Sequence, residues 1–165
     1  MGRIVFRKME KQEQTKMLPY LFRILHTNMS ILAPTGCTYE DDRELWLSYI
    51  VPALESGNKQ IMLMLLEDSV VGYAQYSING NTLEMDEVEI IPQYQRTKLF
   101  YRFCQHMVNT LPEQVQFISS YVRKDNVNSI SIHEGLRMKR IAENKSGTSW
   151  LYCGDRENAE ARLRR

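Results

Sequence analysis

The stretch MDEVEIIPQYQRTKLFYRF, residues 85–103, decides the fold. Its first half reads as a strand and stops at Pro92, which has no amide hydrogen to give to a sheet ladder. The residues from Gln95 to Phe100 then open a helix, in which Leu99, Phe103 and Met107 share one face and Pro112 follows the end. Val115 to Val122 (VQFISSYV) reads as the next strand. Strand, helix and parallel strand together make a right-handed crossover. A helix start also leaves amide N–H groups unpaired, with the macrodipole behind them, and so offers a seat for phosphate. Arg96 and Lys98 add positive charge there. On this physics the turn is either an anion site or an ordinary solvated turn.

Working outward, three further runs carry strand periodicity. IMLMLL (61–66), VVGYAQYSI (70–78) and TLEMDEVEII (82–91) are joined by the short turns EDS and NGN, and Asn79-Gly80 is a strong hairpin signal. Upstream, Arg3 to Met9 reads as a first strand. A helix is expected to begin near Pro19, with Leu18, Leu21, Phe22 and Leu25 on one face. Asn28 to Tyr39, with Pro34, Thr35 and Gly36, reads as a loop. Asp41 or Asp42 then caps a second helix whose face is Leu45, Trp46, Tyr49, Ile50 and Ala53. Downstream come a short helix from Asn126 to about Glu134 and two strands, Met138 to Ile141 and Ser149 to Cys153. Residues 1–154 form one domain on this reading, and 155–165 are a polar, solvated tail. The class is mixed α/β (α+β), neither a barrel nor a doubly wound sheet.

Composition excludes several functions. The 165 residues carry 21 Lys plus Arg against 20 Asp plus Glu, a net charge of +1 that provides no global field for nucleic acid or an anionic membrane. The longest apolar run, Ile61 to Leu66, is far short of the ~20 residues of a membrane helix. The amino-terminal MGRIVFRK lacks the apolar core and cleavage pattern of a secretory leader. Met1-Gly2 invites acylation, but Phe6 stands where that motif wants Ser or Thr. Three widely spaced cysteines, Cys37, Cys104 and Cys153, form neither a disulfide framework nor a zinc knuckle. They read as reduced thiols of a cytoplasmic protein, with no metal expected.

The segment around Pro92 also resembles the central motif of the GNAT superfamily, the Gcn5-related N-acetyltransferases. In that family a strand ending V-x-P is followed by a Q/R-x-x-G-x-G/A loop that cradles the pyrophosphate of acetyl-CoA. Here the strand end is Ile90-Ile91-Pro92 and the loop is Gln95-Arg96-Thr97-Lys98-Leu99-Phe100. EDSVVGYAQY (67–76) resembles the family's D-x-x-V-G-Y-A strand. YVRKDNVNSISIHEGLRMKRI (121–141) resembles its block around the last helix, with Val122, Asn126, Ser129, His133 and Glu134 in register. Lys98 and Phe100 depart from the pattern by occupying the two glycine positions, and Arg137-Met138 replace the usual Gly-Phe.

The resemblance implies a mixed central sheet of about six to seven strands with helices on both faces, and acetyl-CoA as cosubstrate. Main-chain groups of Ile90 and Ile91 would align the pantetheine arm, with one amide polarising the thioester carbonyl. Amides of Arg96 to Phe100 would hold the diphosphate, with Gln95 beside the cofactor, and Asn126 and Ser129 would line the far wall. An acidic residue five before the proline is frequent in the family, and Glu87 holds that place as base or amine anchor. Glu89 stands where an aromatic residue is usual and would shape the acceptor pocket. His133 occupies the place of a tyrosine acid near the sulfur. For Glu87 the other reading is a solvated strand-edge charge, and for His133 a partly exposed helix residue.

The expected reaction is acetyl transfer to a primary amine of a small molecule or peptide, by direct attack in a ternary complex, without nucleic acid or membrane partners. A homodimer is left open. The alternative, to which Lys98 and Phe100 point, is a catalytically weak or inactive module that binds CoA, another ligand or a partner protein.

Overall fold

The computed structural model describes residues 2–164, so Met1, on which the acylation motif partly rests, and Arg165 lie outside it. Among the described residues, seven strands are hydrogen-bonded in the order β1-β2-β3-β4-β5-β7-β6. They are β1 (Ile4–Lys8), β2 (Gln60–Leu66), β3 (Ser69–Asn79), β4 (Thr82–Ile90), β5 (Phe117–Arg123), β6 (Lys139–Glu143) and β7 (Ser149–Asp155). The helices are α1 (Gln14–Leu32), α2 (Tyr39–Glu55), α3 (Lys98–Thr110), α4 (Val127–Gly135) and α5 (Arg156–Leu163). This is the mixed α/β class read from the sequence. Two compact units divide the chain: one comprises everything up to Gln75 together with Glu87–Thr97, the other Tyr76–Asp86 together with everything from Lys98.

In the first unit, β1 pairs antiparallel with β2 from Ile4↔Leu66 to Lys8↔Met62. Glu67 and Asp68, both at positive φ, form the two-residue turn into β3 that matches the right-handed strand twist. The core joins Leu18, Leu21 and Ile24 of α1 to Ile50 of α2, to Ile61, Leu63 and Leu65 of β2, and to Tyr73 of β3.

Helix α1 starts well before Pro19, contrary to the sequence expectation. A short 3-10 turn, Lys11–Glu13, precedes it, closed by reciprocal capping between Glu10 and Glu13. Arg7 fixes Glu13 through two hydrogen bonds of 2.5 and 2.8 Å. Burial of Leu18, Leu21, Phe22 and Ile24 outweighs a proline cost of about 3 kcal/mol inside the helix. The helix also runs to Leu32, so Asn28 is helical and the loop shrinks to residues 33–38.

The cap of α2 is Thr38, not Asp41 or Asp42: Thr38 Oγ1 accepts from the Asp41 amide at 3.1 Å, and Asp41 is its capping-box partner. The buried face is rotated from the expected one. Leu45 and Tyr49 are exposed, whereas Trp46, Leu47, Ile50, Val51 and Leu54 pack into the core.

In the second unit, β4 and β5 are parallel from Thr82↔Phe117 to Met85↔Ser120, as the crossover requires. β5 and β7 pair antiparallel along Phe117↔Asp155 to Arg123↔Ser149. β6 pairs antiparallel with β7, with an irregularity between Arg140 and Ala142. Val122, Met138 and Tyr152 form its buried cluster with Ile118, Ile130, Leu136 and Trp150 against them.

The expected solvated tail is instead helix α5. Ala159 and Leu163, four residues apart, are buried. The Leu163 carbonyl accepts from Tyr101 Oη and Gln105 Nε2 of α3. Composition hid this face because only two apolar residues make it.

Candidate active site

The first unit contains the end of β4. Gly72 of β3 permits a close approach there, since a Cβ on it would lie 2.6 Å from the Glu89 carbonyl oxygen and 3.2 Å from Ile90 Cα. The Ile91 amide donates to the Val71 carbonyl at 3.0 Å. It therefore belongs to the strand ladder and is not the thioester-polarising amide that the sequence allowed it to be.

Glu87 and Glu89 lie two apart on one strand, and the period of two puts them on one face. Their surroundings differ. Tyr73 Oη, on a buried ring, donates to Glu87 Oε1 at 2.6 Å. Burial, with the Glu87 and Glu89 charges added, pushes the Tyr73 hydroxyl well above its ordinary range. It thus remains a protonated donor to Glu87. Glu89 Oε2 accepts from Asn28 Nδ2 at 2.6 Å. Burial raises its pKa from 4.5 to about 7, the Asn28 bond opposing the shift and the Glu87 charge adding to it.

Asn28 Nδ2 also donates to the Ile90 carbonyl at 3.0 Å. Gln95 Nε2 donates to the same carbonyl at 2.8 Å and to Asn28 Oδ1 at 3.0 Å. The Gln95 side chain, expected beside the cofactor, is thus turned onto the strand end. Beyond Pro92 the chain makes a 3-10 turn, Pro92–Tyr94, and the regular helix starts at Lys98, later than the sequence suggested. Thr97 Oγ1 donates to the Tyr94 carbonyl at 2.7 Å, and exposed Arg96 has a φ of +58°. A non-glycine residue thereby takes a left-handed turn in the loop.

The second unit contains the remaining candidates. Lys98 is exposed in the first turn of α3, where amide N–H groups have no partner within the helix. Leu99 is buried, which withholds its side chain from a ligand. Phe100 lines an apolar cavity of about 320 Å³ with Tyr101, Cys104, Ile132, Leu136 and Leu163. Burial pushes the Cys104 thiol up to about 12, so it is not a nucleophile at neutral pH.

Asn126 is the N-cap of α4, its Oδ1 accepting from the Ser129 amide at 3.1 Å. His133 Nδ1 lies 2.7 Å from the Ser129 carbonyl and therefore carries the proton. Its ring stands 5.3 Å from that of buried Tyr152. Burial lowers the His133 pKa below 6.5, against the Ser129 bond, so the ring is neutral at pH 7. That state is a poor source of a proton for a departing thiolate. Helix α4 ends with Arg137 N donating to Glu134 O and Met138 N to His133 O, a Schellman closure. Arg137 holds a φ of +61° in it.

Sequence reasoning missed Asn28 and Tyr73. The signal for Tyr73 was present in its alternation with Val71 along β3, which puts it on a buried face. Asn28 gave none, because its partners lie 61 to 67 positions away. Among the described residues no cluster of His, Cys, Asp and Glu could hold a metal, and no helix is long and apolar enough to cross a membrane.

Comparison with known proteins agrees with this architecture. Residues 19–136 match the acetyltransferase (GNAT) family. No curated protein matches in sequence. An acetyltransferase from Thermus thermophilus is similar in structure at a TM-score of 0.73 and 15% identity, covering 94% of this chain and 97% of its own. RimJ of Mycobacterium smegmatis, in complex with CoA-disulfide, superposes at 0.71 with 14% identity over 98% and 88% of the two chains. PaiA N-acetyltransferase of Thermoplasma acidophilum, in complex with coenzyme A, gives 0.63 and 16% over 93% and 99%.

Proposed function

The chain belongs to the GNAT acetyltransferase family, and on that premise we propose that it transfers an acetyl group from acetyl-CoA to a primary amine in a ternary complex. One observation carries the reading: a partly buried carboxyl, Glu89, whose pKa of about 7 lies beside the charge of Glu87 on the same strand. Amine acetylation needs a neutral nucleophile, so a group must take a proton from the acceptor. A carboxylate of ordinary pKa is a weak base for that task, and one near 7 is better matched to neutral pH.

Two features of this chain fit the cosubstrate. Amides of Lys98 and Phe100 at the start of α3, with the ammonium of Lys98, suit a diphosphate. Exposed Arg96 adds a second cation. Two of the structural neighbours carry CoA or its disulfide. When bound, acetyl-CoA supplies a thioester carbonyl activated toward amines.

The residues of the chain do the rest. Glu87, which accepts a hydrogen bond from Tyr73, attracts a cationic acceptor. Glu89 Oε2 is engaged by Asn28, and Oε1 takes up the proton. The amide of Ile90 is assigned to the thioester oxygen. Asn126 and Ser129 contribute the start of α4 to the CoA wall, and His133 packs as a neutral ring. The acceptor is a small-molecule or peptide amine.

Calorimetry with acetyl-CoA followed by thiol release across a polyamine, an amino sugar and a peptide amino terminus tests this function. Saturable binding and amine-dependent release of CoA thiol are expected. Absence of any saturable heat at millimolar acetyl-CoA would overturn it. Saturable binding without release from any amine would favour the alternative of an inactive CoA-binding module, the reading that Phe100 and Lys98 at glycine positions support.

A further inference from the structure

We propose that Asn28 is a positioning residue for the proton-accepting carboxylate: its side-chain amide fixes Glu89 and, through Gln95, joins that carboxylate to the turn after Pro92. This rests on the acetyltransferase reading above. Three of the four hydrogen-bonding positions of the Asn28 side chain are spent on this task. Its two N–H groups reach Glu89 Oε2 at 2.6 Å and the Ile90 carbonyl at 3.0 Å. Its oxygen accepts from Gln95 Nε2 at 3.0 Å, and the second Gln95 hydrogen closes the ring on the Ile90 carbonyl at 2.8 Å. Two amides, one carbonyl and one carboxylate thus tie the last turns of α1 to the end of β4.

The arrangement has two chemical consequences. A donor at Oε2 fixes the rotation of the carboxylate and so directs Oε1. It also stabilises the charged form and opposes burial. Among the described residues the groups that act on Glu89 are Glu87 on its own strand, the Tyr73 hydroxyl on β3 and Asn28 on α1, and Gln95 after Pro92 reaches it only through Asn28. The first disfavours its charge, the Tyr73 hydroxyl spends its proton on Glu87, and Asn28 donates directly to Glu89. Asn28 therefore sets the pH at which Glu89 becomes a base.

The test is a carboxyl-carbon NMR titration of the full chain labelled at glutamate, with no acetyl-CoA and no amine present, the Glu89 signal being the one lost in Glu89→Gln. In Asn28→Ala the Glu89 midpoint should move up by about one pH unit, the size expected for loss of one hydrogen bond to a carboxylate. In Asn28→Asp, which keeps the shape but replaces the donor with an anion, it should move further. Gln95→Ala should move it less than either. Where an amine is turned over, the acidic limb of kcat/KM should shift by the same interval. A Glu89 midpoint unmoved in both Asn28 variants would overturn the proposal, as would a kinetic limb that stays in place while the midpoint moves. The titration needs no turnover, so a failed acetyltransferase assay with a displaced midpoint would count against the reaction and not against the hold of Asn28 on Glu89.

Discussion

Glu89 at the end of β4, in the first unit, and His133 on α4, in the second, are both titratable, and burial acts on them in opposite senses. It raises the carboxyl to about 7 and lowers the imidazole below 6.5. Both shifts favour the neutral form, since removal from water penalises charge whichever sign it has. The outcomes for chemistry differ. Glu89 is brought to the middle of the working pH range, where it exchanges protons readily, whereas His133 is moved out of it and held by the Ser129 carbonyl as a neutral ring. A residue type that ordinarily titrates near neutral pH is no guarantee of a titration there, and one that does not acquires it by burial.

The largest effect that sharpens this contrast is kinetic. Glu89→Gln should lower kcat by about 100-fold or more, the range for loss of a general base, and abolish the rise of kcat/KM with pH through about 7. His133→Asn should cost less than about tenfold and leave that rise in place. If His133→Asn removed the pH limb and Glu89→Gln kept it, the assignment would be reversed.

The next effect is on stability. A carboxyl that binds its proton more tightly when folded loses stabilisation as pH rises from its unfolded value of 4.5 through about 7. Glu89→Gln removes that penalty, so its melting temperature should exceed the wild-type value at pH 8 and converge with it near pH 4.5. The gap at high pH is up to roughly 3 kcal/mol. His133 has the opposite sign: its depressed pKa makes the fold lose stability as pH falls below 6.5. Melting curves of Glu89→Gln and His133→Asn across about pH 4.5 to 8 should therefore diverge from wild type at opposite ends. Parallel displacement of both would break the comparison.

The smallest effect concerns the backbone that carries His133. Arg137, at a φ of +61°, takes the left-handed position closing α4 that glycine occupies more cheaply. Arg137→Gly should raise stability by about 1 kcal/mol in denaturant unfolding without moving either titration. A loss of stability would show that the arginine side chain contributes more than its backbone strain costs.

The order of strands and helices was legible because hydrophobic period, turn residues and Pro92 are local signals. Where a local signal met a tertiary one, it lost. Pro19 marked a helix start that the Arg7–Glu13 pair and core burial moved upstream. Leu45 and Tyr49 fitted the helical period of α2 yet face solvent, because the core takes the adjacent stripe through Ile50. In α5 Ala159 and Leu163 alone carried the face.

Within the candidate site the residue types of β4 were legible and their roles were not. Sequence by itself determined the mixed fold, the family resemblance and the two carboxylates that share a strand face, since each follows from spacing along the chain. Only tertiary structure brought Glu89 to a titration near neutral pH. Desolvation and a hydrogen bond from Asn28, 61 positions away, set the pKa of Glu89, and both depend on what the folded chain packs around a group.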